Sequence, residues 1–271
     1  MTIILSAEKA QKKVMTQSII PVDVRIKDEV YGTGKEAYKH QHLPGAVYLD
    51  FKEDISGKDS FFPEIEQIKT TLEEKGINRQ MAILLYDEGN HRAASKAYVL
   101  LTYLGHEEVY ILDGGARAWK EAGYEWTDEV IERDKTVFDV QLQQDLLVQI
   151  DEVKAQLEEK KSVHIDARIY EKYSGETASG YGKDGHIKGA QNFPAKNVMD
   201  ANGRWRSSTS LQKQFASVKE KQEHIVSCGT GNSACINVVA LKEAGFKNVK
   251  LYAGGFKEWS QDDQNEIEKK S

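Results

Sequence analysis

The chain has 271 residues, enough for two domains of ordinary size. Its composition, 39% hydrophobic and 30% charged, is that of a globular protein, and no stretch approaches the apolar length of a membrane helix. A net charge of −6 argues against a nucleic-acid backbone binder, which needs clustered Lys and Arg, so an anionic substrate has to meet local cations.

In chain order, the opening MTIILSAEKA lacks the basic flank and apolar run of a signal peptide, and none is expected. Four blocks then recur in the same order, so the chain is read as a duplicated domain. VDVR (22–25) returns as IDAR (165–168), and HLPGAVYLD (42–50) as HIKGAQNFP (186–194). AILLYDEGNHRAA (82–94) returns as HIVSCGTGNSA (224–234), and LGHEEVYILDGGARAWKEAG (104–123) as AGFKNVKLYAGGFKEW (244–259). Residues 127–149 have no counterpart and are expected to be an ordered linker. In the second half, Val163–Ile165, Glu223–Ser227 and Val249–Tyr252 read as strands and Asn232–Glu243 as a helix, with Gly245 as its stop. Alternation of strand and helix predicts a mainly parallel sheet covered on both faces. Trp119, Trp259 and the Gly114-Gly115 and Gly254-Gly255 pairs are assigned to packing. His42 and His186 recur at matched positions, which points to backbone bracing.

Chemistry is concentrated in Ser-Cys228-Gly-Thr-Gly-Asn-Ser233-Ala. A strand-like run ends on Cys228 and a helix begins four residues later. The sulfur is thus placed at the carboxyl edge of a parallel sheet, where open α/β folds bind ligands, and beside a helix N-terminus expected to lower the thiol pKa. Gly229 and Gly231 let the loop curl its N–H groups inward as an anion nest, and Thr230, Asn232 and Ser233 complete it. Cys235, seven residues on, reads as a small buried hydrophobe. Two cysteines are too few for a disulfide scaffold or a thiolate zinc site, and with no signal peptide a cytoplasmic setting is expected. At the matching position the first half carries Asp87, in a loop one residue longer; an aspartate cannot carry transferable sulfur.

VDVR, HLPGAVYLD, YILDGGARAW, IDAR…KYSGE, GHIKGAQNFP, CGTGNSA and YAGGFKEW together resemble the tandem-domain rhodanese family, which includes thiosulfate and 3-mercaptopyruvate sulfurtransferases; the resemblance covers nearly the whole chain. It implies an α/β protein of two similar rhodanese-like domains, each a mainly parallel sheet with helices on both faces. Residues 1–126 form a non-catalytic domain, 127–149 the linker and 150–271 the catalytic domain. It also implies Cys228 as nucleophile, a persulfide intermediate, and no metal or organic cofactor. The partners implied are a small anionic sulfur donor and a thiophilic acceptor such as cyanide, a thiol or thioredoxin, with neither nucleic acid nor membrane. The resemblance assigns donor binding to Arg168, whose duplicate is Arg25, and to Lys172, where the family often has arginine. Lysine offers a point charge rather than a fork.

The donor remains either thiosulfate or 3-mercaptopyruvate. Thiosulfate-preferring members resemble each other in Arg and Lys after the cysteine, whereas Gly229-Thr230 is similar to the mercaptopyruvate group. The hydroxyl relay of that group would need a histidine near residues 58–63, and none is present. Asp50, the matching acid, reads equally as a brace. Two other functions fit the residues less well. A Cys-loop phosphatase needs an arginine at position 234, which is alanine. A non-enzymatic carrier or sensor module relaying persulfide to a protein partner is disfavoured by the retained Cys228. Arg204 and Arg206 are read as a solvated loop with a possible reach to the site.

Overall fold

The computed structural model describes residues 2–58, 61–159, 161–218 and 223–270. The chain divides into two units, one of residues 2–143 with 202–205 and the other of 144–201 with 206–271. In the first unit, β1 (Ile4–Leu5), β2 (Ile20–Asp23), β3 (Val47–Tyr48), β4 (Ile83–Tyr86) and β5 (Val109–Leu112) form one five-stranded sheet in the order β3-β2-β4-β5-β1. In the second, β6 (Leu147–Val148), β7 (Ser162–Asp166), β8 (Gln191–Asn192), β9 (Glu223–Ser227) and β10 (Val249–Tyr252) form another, in the order β8-β7-β9-β10-β6. The two orders are the same when five is subtracted from the second set, and every pairing is parallel. The duplication read from the sequence is therefore a duplication of topology.

Burial explains why the central strands carry unbroken apolar runs instead of alternating ones. All four residues of β2 and β4 are buried, as are the last four of β7 and β9. Helices surround the sheets. Those that shape the site are α1 (Arg92–Tyr103), α2 (Gly115–Glu121), α3 (Tyr170–Ser174), α4 (Asn232–Glu243) and α5 (Gly255–Trp259). Trp119 and Trp259 lie in the two cores, each donating its ring N–H to a carbonyl, Glu125 and Glu266 respectively. Gly245 follows α4 with φ +93°, the left-handed turn expected of a helix stop.

The segment expected as a linker is more deeply used than its composition suggests. Thr127 pairs with His42, Phe138 is fully buried, and the N–H groups of Thr136, Gln141 and Gln143 donate to Glu73, Leu104 and Tyr103. Its last residues, Leu147–Val148, are edge strand β6 of the second sheet. The two histidines brace backbone as expected. His42 places its ring nitrogens on the carbonyls of Tyr38 and Glu129, and His186 stacks on Tyr173 and donates to its carbonyl. Among the described residues no helix is long and apolar enough to cross a membrane.

Candidate active site

Strand β9 ends at Ser227, and the next residue, Cys228, is only 4% exposed. Gly231 takes φ +81° and turns the chain into α4, whose first residue is Asn232. That left-handed angle costs a side-chain-bearing residue about 1–2 kcal/mol and costs glycine little. The loop so formed directs the backbone N–H groups of Ala234, Thr230 and Ser233 at the Cys228 sulfur. Asn232 donates from Nδ2 to the Thr230 hydroxyl at 3.4 Å. Thr230 itself is exposed, at the mouth of the loop.

The thiol pKa departs from the sequence expectation. Burial pushes the Cys228 thiol above its usual value, and the nearby Asp166 carboxylate adds to this; the three N–H groups pull the other way and lose. A helix N-terminus lowers a thiol pKa when the thiol is solvated, but here desolvation of the anion is the larger effect. The resting sulfur is therefore a protonated thiol in a cradle built for an anion.

The same cradle exists in the first unit, and it is filled. Asp87 follows β4 as Cys228 follows β9. Its Oδ1 accepts from the N–H groups of Gly89 (2.8 Å) and His91 (3.2 Å), and its Oδ2 from that of Ala94 (3.2 Å). Ala94 is the third residue of α1, as Ala234 is of α4. His91 adopts φ +61° at the position of Gly231 and caps α1. Residues 202–205, part of this unit, close over it: His91 Nε2 lies 2.9 Å from the Gly203 carbonyl and its ring meets Trp205. Arg204, read from the sequence as a solvated loop residue, instead donates to the Asp113 carbonyl and pairs with Glu121. Arg206 donates to the Asn197 carbonyl in the second unit.

Both cradles are clamped from behind by the helix after the last central strand. Phe256 and Lys257 donate their N–H groups to the carbonyls of Cys228 and Gly229; Ala116 donates to that of Asp87. The approach is close enough that a β-carbon on Gly255 would lie 2.5 Å from the Cys228 carbonyl oxygen, and one on Gly115 would lie 2.4 Å from that of Asp87. These glycines, assigned to packing, thus set the position of the loop.

Arg168 is placed mainly as an architectural residue. Nε and Nη2 grip both carboxylate oxygens of Asp166, Nη2 also donates to the Gly185 carbonyl, and the guanidinium lies 4.1 Å from the Phe256 ring centroid. Arg25 repeats this with Asp23 and the Gln41 carbonyl. One difference bears on ligand binding. Arg25 Nη1 meets Asp28 at 3.6 Å, whereas Arg168 Nη1 is buried without a hydrogen-bond partner among the described residues. Lys172, on α3, reaches the Ser179 carbonyl at 3.5 Å. This segment, residues 179–184, also brings Tyr181 against the cysteine loop. Its phenol oxygen lies 2.6 Å from where a β-carbon on Gly229 would be. Tyr181 escaped the sequence reading, although an aromatic between Gly180 and Gly182 is a visible signal.

Asp50 caps the helical segment Phe51–Ile55, accepting from the N–H groups of Lys52 and Glu53, which is the bracing role. Of the window 58–63 searched for a relay histidine, residues 59 and 60 lie outside the described residues. Cys235 is fully buried on α4, with its sulfur 3.5 Å from the Gly231 carbonyl, and Ala234 is fully buried where a phosphate-clamping arginine would stand.

The Rhodanese-like domain profile matches this chain twice, over residues 6–122 and 149–262. The chain belongs to the rhodanese family. This tandem rhodanese is 29% identical over 276 residues to a probable 3-mercaptopyruvate sulfurtransferase of Pseudomonas aeruginosa, an alignment covering 97% of each chain. It is 28% identical over 269 residues to a putative thiosulfate sulfurtransferase of Mycobacterium tuberculosis, with 95% and 94% coverage. The crystal structure of the Escherichia coli 3-mercaptopyruvate enzyme SseA superposes with a TM-score of 0.82 at 27% identity, covering 94% of this chain and 99% of that one.

Proposed function

We propose that the second rhodanese domain, with the boundaries 150–271 read from the sequence, is a sulfurtransferase that carries sulfane sulfur on Cys228. The reading rests above all on the paired cradles. In the first domain the N–H groups hold the Asp87 carboxylate, an anion; in the second they surround a nucleophilic sulfur. A persulfide, Cys–S–S⁻, supplies the negative charge that the second cradle lacks at rest. The first domain takes no chemical step.

The mechanism has two half-reactions. The Cys228 thiol first gives up its proton to solvent; the thiolate so formed attacks the outer sulfur of the donor and a new S–S bond forms. With thiosulfate, the donor S–S bond breaks and sulfite leaves with the electron pair. With 3-mercaptopyruvate, the C–S bond breaks and the enolate of pyruvate leaves, taking the proton of the donor thiol at carbon. The outer sulfur then rests among the N–H groups of Thr230, Ser233 and Ala234. A thiophile attacks that sulfur, and Cys228 departs as thiolate. Cyanide gives thiocyanate; a thiol or a thioredoxin-like protein gives a new persulfide.

Donor recognition is assigned to Lys172 and to the unpartnered Nη1 of Arg168, with the rest of that guanidinium fixed by Asp166. The donor class favoured is a mercapto-carboxylate, 3-mercaptopyruvate, over thiosulfate, because Gly229 and Thr230 place no cation beside the sulfur. The reaction belongs to a reducing, cytoplasmic setting, in which the cysteine returns as thiol after each cycle. Thiocyanate production from cyanide, with each donor in turn, tests the proposal. Wild-type protein turns over, and Cys228→Ser does not. Equal turnover by the two proteins removes Cys228 from the mechanism.

A further inference from the structure

One buried imidazole stands beside the strand that carries the nucleophile. His164 lies in the middle of β7, opposite Ile225 of β9, and is buried. Its Nε2 is 2.7 Å from the hydroxyl of Ser227, the last residue of β9 and the chain neighbour of Cys228. Ser227 pairs with Asp166 in the ladder, yet its hydroxyl goes to His164, and it makes no other hydrogen bond among the described residues. Asp166 and Arg168 are the charged groups that act on the imidazole, and the Tyr252 ring meets it edge-on. His164 Nδ1 has no hydrogen-bond partner among the described residues. A buried ring nitrogen left unpaired costs stability that an apolar side chain would not cost. Packing therefore does not account for a histidine at this place.

The first domain fills the same two positions differently. Pro21 stands where His164 stands, and Tyr86 where Ser227 stands. The Tyr86 phenol donates straight to the Asp23 carboxylate at 2.9 Å and accepts from the Leu43 N–H at 3.3 Å. The backbone is fixed alike in both domains, since the carbonyls of Tyr86 and Ser227 accept from the N–H groups of Val24 and Ala167. Only the side-chain tether differs, and the histidine occurs in the domain whose cradle holds a nucleophile. We infer that His164 is a positioning residue for Cys228: by holding the Ser227 hydroxyl it fixes the turn out of β9 and so the aim of the sulfur. This rests on the sulfurtransferase reading of Cys228. His164 touches neither donor nor sulfur. Without it, the Ser227 hydroxyl turns to the Asp166 carboxylate opposite, the bond that Tyr86 makes to Asp23, and the residue before the nucleophile shifts with it. Both half-reactions need the sulfur seated among the N–H groups of Thr230, Ser233 and Ala234. An error of about 1 Å costs on the order of 100-fold in rate, and half of that about ten-fold.

The test uses the full-length protein, with 3-mercaptopyruvate as donor and cyanide as acceptor. His164→Leu should lower kcat roughly ten-fold with KM held within about two-fold, because the donor's own contacts are untouched. Ser227→Ala should lower kcat by a similar factor, and His164→Leu with Ser227→Ala together by no more than about two-fold beyond either, since the two changes remove one interaction. His164→Gln, whose amide nitrogen can stand where Nε2 stands, should recover kcat to within about three-fold of wild type. Wild-type kcat in His164→Leu overturns the inference. So do losses that multiply in the double variant, or the absence of recovery in His164→Gln. If His164→Leu fails to fold, Ser227→Ala removes the same bond with a smaller change, and wild-type kcat in that variant overturns the inference equally. If wild-type protein forms no persulfide with either 3-mercaptopyruvate or thiosulfate, the sulfurtransferase reading fails instead, which keeps the two failures distinct.

Discussion

Gly255→Ala is the substitution whose effect the structure defines most closely, because Gly115 provides an internal control. Both glycines sit at φ +58° at the start of a short helix that backs a cradle. A β-carbon at 255 would stand 2.5 Å from the Cys228 carbonyl oxygen and 2.9 Å from that of Gly229; at 115 it would stand 2.4 Å from the Asp87 carbonyl oxygen and 2.7 Å from the Gly89 nitrogen. The left-handed angle costs alanine about 1–2 kcal/mol, and overpacking against backbone a further 1–3 kcal/mol or so. Each variant should therefore lose about 2–5 kcal/mol, a large share of the roughly 5–15 kcal/mol of an ordinary domain. The catalytic consequences differ. Relief of the clash at 255 moves the Cys228 loop by several tenths of an ångström or more, and misplacement of a nucleophile by about 1 Å costs on the order of 100-fold in rate. Relief at 115 moves only the Asp87 loop. Urea unfolding and kcat/KM, measured on both variants at a temperature where both remain folded, should show similar stability losses with a rate loss of on the order of 100-fold confined to Gly255→Ala. Equal kcat/KM for the two variants would refute the assignment of α5 as the clamp of the reactive loop.

Three further outcomes are expected. Asp87→Ala leaves three N–H groups without their acceptor and should destabilise the protein by about 2–4 kcal/mol in urea unfolding, while Cys228 still forms its persulfide. Alkylation of Cys228 by iodoacetamide, followed by peptide mass mapping, should keep rising through pH 9, since burial lifts the thiol above its ordinary value of 9.0; a plateau near neutral pH would contradict the burial effect. Burial holds His164 neutral, with its pKa lowered from 6.5 to about 4. Between those values the unfolded chain binds a proton that the fold refuses, so stability is lost as pH falls through that window and is unaffected by this group above it. The loss is about 3 kcal/mol at 1.36 kcal/mol per pKa unit. His164→Leu should flatten that part of the stability–pH curve, and an unchanged slope would show that His164 is protonated in the fold.

Much of the second domain was legible because its strands are buried runs with clear ends. Glu223–Ser227, Val249–Tyr252 and the helix Asn232–Glu243 match their sequence reading residue for residue, and the strand read as Val163–Ile165 gains one residue at each end. The edge strand Leu147–Val148 was hidden, since two residues in a charged segment carry no periodicity. The cradle was anticipated in the loop, but Ala234 was not named among its donors because alanine's contribution is a backbone N–H, invisible to side-chain chemistry. The Cys228 pKa moves opposite to the sequence expectation for a related reason: helix position can be read from a sequence, whereas the burial of the sulfur, which decides the balance, and the Asp166 carboxylate that adds to it are set by the fold. Arg168 illustrates the limit of a motif. IDAR and VDVR fold into the same Asp–Arg clamp, but the surroundings differ: Arg25 faces Tyr86 and Trp126 and meets Asp28 through Nη1, whereas Arg168 faces Phe256 and its Nη1 has no hydrogen-bond partner among the described residues. Tyr181 stands out in the sequence as an aromatic between two glycines, but its contact with Gly229 spans 48 positions of chain and shows only in the fold.

Intact-mass measurement after incubation with donor and removal of excess tests the central claim most directly. Wild-type protein should gain one sulfur atom, about 32 Da, mapped to the peptide containing Cys228, and should lose it on addition of cyanide. Cys228→Ser should gain nothing. The same gain in Cys228→Ser, or a gain mapped to Cys235, would contradict the account.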